Sequence, residues 1–154
     1  MSAGFLKGFP DLPPIWFAGF CGAAWLLARE LPLITAFGPL WWGLGVLLAV
    51  AGVALIGWSA WWFWMHRTPI EPHHDPRALI TEGPYRFSRN PIYLAMLAML
   101  TGYVFWLGVL SPVLLPVLFH QVLTRRFIED EEARLVAAFG LEARRYLQVT
   151  RRWL

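Results

Sequence analysis

The sequence predicts an all-α integral membrane protein: a helical bundle of about four transmembrane helices followed by a cytoplasmic C-terminal amphipathic helix. Three observations carry this. Of 154 residues, 58% are hydrophobic and only 15% charged, with 10 Trp and 11 Phe, whereas a soluble domain carries about a quarter charged residues. A run from 40 to 64 contains no charge at all. The basic residues, finally, fall almost entirely between the apolar segments that one side of a membrane would share. Disorder, a coiled coil and a disulfide scaffold are excluded, since Cys21 has no internal partner. One domain, residues 1–154, is expected at this length.

Residues 13 to 28, opened by Pro13-Pro14, form a first span. They lack the basic n-region and small-residue cleavage site of a removed signal, so the segment reads as a span. The second is the 25-residue run LWWGLGVLLAVAGVALIGWSAWWFW. As a helix it is roughly 37 Å long, more than the ~30 Å hydrocarbon core. Trp41, Trp42, Trp61, Trp62 and Trp64 at its ends supply the aromatic belts of the two interfaces. Residues 1–64 therefore hold two N-terminal spans. Residues 91 to 110 give a third, and 112 to 123 a fourth. The fourth is short in itself and continues as one helix into the charged C-terminal segment, with Ser111-Pro112 marking the turn before it.

Four spans place Lys7, the loop residues Arg67, Arg77, Arg86 and Arg89, and seven arginines from Arg125 to Arg152 on one side, leaving Arg29 opposite. By the positive-inside rule that side is cytoplasmic, with both termini on it, in a multi-pass protein of a bacterial-type inner membrane. Topology thus accounts for the net charge of +3, and no nucleic-acid partner is implied. Membrane lipids are. Both polar segments, 65 to 90 and 124 to 154, meet at the cytoplasmic face, so chemistry is expected there.

In the loop, Pro69, Pro72 and Pro76 keep the first half extended. Gly83-Pro84 signals a turn. Asn90-Pro91 reads as a helix start, with Asn as N-cap and Pro in the first helical position. Two readings stand for this start: a plain entry into the membrane, or an anion site at the helix N-terminus backed by Arg86 and Arg89, with Tyr85 and Tyr93 at the same depth. His66, His73, His74 and Asp75 match no common zinc spacing and have no cysteine nearby, so no metal is predicted.

The segment from Thr124 to Gly140 has helical periodicity. Ile128, Leu135 and Phe139 form a narrow stripe that includes Glu132, with Glu131 at its edge. A carboxylate on an apolar face is costly unless paired, and Arg125, two turns earlier on the same line, is the expected partner. Arg126, Asp130 and Arg134 share the opposite face as ordinary surface pairs. Gly140 is expected to end the helix as its C′ residue. The remaining LEARRYLQVTRRWL is a basic amphipathic tail suited to the membrane interface. Glu132 keeps two readings, a buried structural ion pair or a carboxylate facing the pocket of the 79–93 loop.

Two motifs carry a resemblance. LITEGPYRFSRNPIY, from Leu79 to Tyr93, is followed about forty residues on by EEARLVAAFG, from Glu131 to Gly140, and by Tyr146. Together they resemble the isoprenylcysteine carboxyl methyltransferase family, which is related to the phospholipid N-methyltransferases. The resemblance covers roughly residues 65 to 153. It implies a transmembrane methyltransferase that uses S-adenosylmethionine, leaves S-adenosylhomocysteine, and has no soluble Rossmann domain. The family's Arg-(His/Asn)-Pro-x-Tyr element maps onto Arg89, Asn90, Pro91 and Tyr93, and its paired acids onto Glu131 and Glu132. Leu79, Gly83, Tyr85, Arg89, Asn90, Pro91, Tyr93, Glu131 and Tyr146 would then bind the cofactor. Arg89, Glu132 and Arg125 would serve catalysis; a carboxylate acceptor wants an arginine to orient it, with Arg125, Arg144 or Arg151 as candidates, and an amine acceptor would have Glu132 take its proton. Asn90 stands where eukaryotic members carry His, and Ala143 where the family often has a first Tyr.

The implied acceptor is a lipophilic or membrane-embedded small molecule, methylated at a carboxylate, with a phospholipid or other amine as the alternative. Two rivals come from other classes: an NADPH-dependent membrane reductase of the sterol-reductase type, and a non-enzymatic membrane module. No glycine-rich dinucleotide fingerprint supports the first.

Overall fold

The computed structural model describes residues 11–67 and 78–154. The described residues are helical throughout, apart from turns and one isolated β-bridge between Thr35 and Val109. Helix α1 (Pro13–Glu30) and helix α2 (Pro39–Met65) each start on a proline, whose missing N–H is no loss in a first turn. At 27 residues, α2 spans about 40 Å. It is the one described helix both long and apolar enough to cross a membrane. Its apolar side chains point outward along the whole length, from Leu40, 83% exposed, to Trp64, 71% exposed. Such a surface is stable against lipid and not against water.

Helix α3 (Pro91–Leu107) is apolar and runs 17 residues, stopped by Gly108 at φ 78°. It lies antiparallel to α2, because Gly45 meets Gly102 and Gly52 meets Ala95. A Cβ added to either Gly45 or Gly102 would sit 2.5 Å from the other's carbonyl oxygen. Small residues let the two backbones approach that closely. At the end of this hairpin away from residues 79–90, the loop before α2 and the loop after α3 are joined. Ala36 and Phe37 donate to the Gly108 carbonyl (3.0 and 3.2 Å) and Leu110 to that of Ile34 (3.1 Å). Phe37, Trp41 and Phe105 meet there as a trio of edge-on and tilted rings.

Helix α4 (Leu115–Leu123) passes through a π-helical turn (Thr124–Ile128) into helix α5 (Glu129–Val149). The fourth apolar segment does run on into the charged one, as its sequence suggests. Two differences follow, however. At Gly140 the backbone takes φ 56° and ψ −120°, and α5 breaks there but resumes to Val149, so this glycine is a kink and not an end. The π turn, moreover, adds about one residue's worth of rotation, ~100°, between the segments it joins. That moves Arg125 off the line of Glu132. Arg125 is exposed, and the expected Arg125–Glu132 pair does not form.

The core gathers where α1, α3 and α4 meet. Tyr93, Met96, Leu100, Phe119, Leu123, Phe127 and Ile128 are buried together, and Phe119 packs its ring on Phe20 and Phe17 of α1. The C-terminal Trp153 closes over His120, ring centroids 4.5 Å apart. Arg126, expected on a solvated face, instead reaches Asp11: its Nε donates to both carboxylate oxygens (2.8 and 2.9 Å), and its guanidinium lies over the Trp16 ring. The π turn is thereby tied to the start of α1.

Candidate active site

The turn before α3 is held from two sides. Gly83 has φ 59° and lies so close against the Trp62 indole of α2 that any side chain there would collide with it. This conformation favours glycine. A short 3₁₀ turn (Gly83–Arg86) then buries Tyr85, whose ring meets Phe63 of α2 edge-on at 5.6 Å. From the other side the C-terminal tail lies along residues 85–90. Tyr146 Oη donates to the Tyr85 carbonyl (2.7 Å), and the Arg89 N–H to the Arg151 carbonyl (2.9 Å). Arg89 Nη1 donates to the Leu147 carbonyl (3.1 Å), and Asn90 Nδ2 to that of Arg152 (3.0 Å).

Asn90 does precede α3, but its side chain makes no cap. It is spent on the tail, while its own N–H goes to Ser88 Oγ (3.2 Å). The first-turn donors of α3 are therefore not closed off by an Asn side chain. Pro91 is buried in the first helical position.

Glu132 lies under this turn. Arg152 grips it with both prongs, Nε to Oε1 at 3.0 Å and Nη2 to Oε2 at 2.6 Å. Arg89 Nη1 approaches Oε1 at 3.4 Å. The Arg89 and Glu132 side chains are only 14 and 15% exposed, so the ion-pair reading of Glu132 is realised, with partners from the turn and the tail. Arg152 carried no signal in the sequence; its contact spans 20 residues and depends on the chain folding back at the Gly140 kink.

Glu131 has a different setting. Tyr93 Oη donates to its Oε1. Burial nonetheless pushes its carboxyl up to about 7, against the lowering effects of Tyr93 and Arg134, with Glu132 and Asp130 adding to the rise. It is thus divided between its two protonation states near neutral pH. Burial also raises the phenols of Tyr85 and Tyr146 well above the usual range, keeping both as neutral donors.

Among the described residues three buried side-chain polar atoms have no hydrogen-bond partner: Tyr85 Oη, Arg89 Nε and Arg134 Nη2. Tyr85 Oη faces Ser59, whose hydroxyl donates to the Leu55 carbonyl at 2.7 Å. Arg134 is not the surface residue its helical position suggests; it acts electrostatically on Glu131 and Tyr93. Buried orphans of this kind are uncommon, and each costs free energy unless something binds it.

Tyr85, Arg89, Asn90, Pro91, Tyr93, Glu131, Glu132 and Tyr146 are brought together. Gly83 shapes the turn from behind, against Trp62. Leu79 is half-buried beside Ile80 at its start. Arg125 stays outside. Among the described residues no group of three His, Cys, Asp or Glu side chains gathers. His73, His74 and Asp75 lie outside the described residues, and His66 stacks on Trp62 and bonds to its carbonyl.

No solved structure matches the chain. An uncharacterized protein of Haemophilus influenzae is 40% identical over 63 residues, which cover 41% of this chain and all of that protein. The family model described as phospholipid methyltransferase matches residues 40–142, from the start of α2 through the paired glutamates and past the kink in α5. With the hairpin, the buried turn and the acidic pair all inside that match, the chain belongs to the phospholipid methyltransferase family.

Proposed function

We propose that this chain is an S-adenosylmethionine-dependent methyltransferase acting at the cytoplasmic membrane face on a lipophilic acceptor, in a multi-pass arrangement with both termini cytoplasmic. One observation carries the reading: inside the family-matched region, Tyr85 Oη and Arg134 Nη2 are buried without a partner in the electrostatic neighbourhood of a carboxylate poised near neutrality, and Arg89 Nε is a third such orphan beside the neighbouring Glu132. These residues fit the donor. The free N–H groups of Arg89 and Arg134 suit its carboxylate. Glu131 suits its ammonium or ribose hydroxyls, and Tyr85 or Tyr93 the sulfonium or the adenine ring. When bound, the donor supplies a methyl carbon activated by a positive sulfur. The chain's part is to align this carbon with the acceptor and keep water out. No metal or covalent nucleophile takes part in this reading.

Two acceptors are compatible with the family. A carboxylate, as in the isoprenylcysteine enzymes, needs an arginine to orient it. Arg125, Arg144 and Arg151, the candidates for that role, are all exposed. An amine must first lose a proton, and Glu131 near neutrality is suited to take it. Taking that proton and holding the donor's ammonium are alternative roles for Glu131, while Glu132, the base expected from the sequence, has both oxygens engaged.

Titration calorimetry of the detergent-purified protein with S-adenosylhomocysteine, run beside NADPH, tests the class. Micromolar binding of the first, lost in Arg89→Ala and Glu131→Ala, is expected; binding of NADPH alone would move the chain to the reductases. Methyl-labelled donor incubated with membranes then separates the acceptors, because an ester label is released by mild alkali and an N-methyl label is not.

A further inference from the structure

Arg152 belongs to neither motif of the sequence, yet it holds the most complete charge pair among the described residues. Its fork occupies both oxygens of Glu132 at 3.0 and 2.6 Å. Arg89 is left with a single end-on approach at 3.4 Å, through the same Nη1 that serves the Leu147 carbonyl. Arg89 Nε stays buried without a partner. A carboxylate and a guanidinium this close and this enclosed pair in two-pronged fashion unless something prevents it. Here a second guanidinium does.

From this competition we infer that Arg152 is a positioning residue: it holds Glu132 away from a full pairing with Arg89, so that Arg89 presents a free N–H to an anionic group of the ligand. The inference rests on the methyltransferase reading for the identity of that ligand. Without the Arg152 side chain, Glu132 closes on Arg89 and cancels the charge the ligand would meet. The tail itself stays in place, because the carbonyls of Leu147, Arg151 and Arg152 hold residues 88–90 whatever side chain stands at 152.

The test compares S-adenosylhomocysteine affinity in Arg152→Gln, Glu132→Gln and the double variant, with melting temperature recorded for each. Arg152→Gln should weaken binding by about tenfold in the native background and by less than about threefold once Glu132 is Gln, the coupling expected of residues in one network. A scaffold role predicts otherwise, with the same loss in both backgrounds and a parallel fall in melting temperature. Equal losses, no loss in Arg152→Gln, or abolition of binding by Glu132→Gln alone would each overturn the inference. Should Arg152→Gln fail to fold, Arg152→Lys is read the same way, since it keeps the charge but not the two-pronged grip. If the native protein binds no S-adenosylhomocysteine, the methyltransferase reading falls and takes this inference with it; if it binds and Arg152→Gln binds equally, this inference alone falls.

Discussion

Glu131 and Glu132 are neighbours in the chain and opposites in physics. Glu132 is satisfied by two guanidinium groups, while Glu131 has one phenol and a cost of burial that no charge fully offsets. The difference has a pH signature. The folded-state value of Glu131, about 7, lies above its ordinary 4.5, so the fold binds the proton more tightly than the unfolded chain does. Its contribution to stability is therefore fully present below 4.5 and is lost as pH rises through about 7. Melting temperature measured between pH 5 and pH 8 should fall with rising pH, and Glu131→Gln should flatten that slope. Ligand affinity should run the other way, rising through pH 7 if the ionised carboxylate holds the donor, and Glu131→Gln should abolish this dependence too. The two glutamates were both legible in the sequence as candidates. Their division of labour was not, because it is set by residues 38 and 20 positions away.

The elements are set by close approaches and by register. Where α2 meets α3, Gly45→Ala would place a methyl group 2.5 Å from the Gly102 carbonyl, a backbone atom that cannot swing aside. A loss of about 1–3 kcal/mol is expected for such overpacking, seen as a lower melting temperature in detergent. Gly57→Ala, where nothing lies within 4 Å, should change little. The π turn sets the register of α5. Deleting the exposed Arg125 would convert the turn to ordinary helix and rotate Glu131 and Glu132 by ~100° relative to α4. Ligand binding should then be lost while helix content by circular dichroism stays nearly constant. Hydrophobic periodicity cannot reveal such an insertion; Ile128 and Phe127 are buried together across it, and the stripe reads as continuous.

At the scale of the whole molecule, the site lies at one end of the α2–α3 hairpin and the joined loops 34–37 and 108–110 at the other. If the chain crosses the bilayer as proposed, the two ends are on opposite sides. With Cys21 replaced by Ser, a cysteine at Glu30 should react with a membrane-impermeant maleimide added outside intact cells. A cysteine at Gln148 should react only after the membrane is opened. Equal labelling of both positions from outside would contradict the arrangement.

Sequence alone determined what is additive along the chain. Apolar length, the clustered tryptophans and the prolines that open α1, α2 and α3 act locally, so the helices and the grouping of charge into the polar segments could be read from residue order. The site motifs were legible for the same reason, as short runs with their own turn chemistry. Only the tertiary structure decided the pairings: Arg152 and not Arg125 on Glu132, Asn90 on the tail and not on its own helix, Arg134 turned toward Glu131, and Arg126 on Asp11. Several groups compete for each of these charges. The winner is whichever the packing of distant segments brings within about 3 Å, and one added residue of helical rotation is enough to change it.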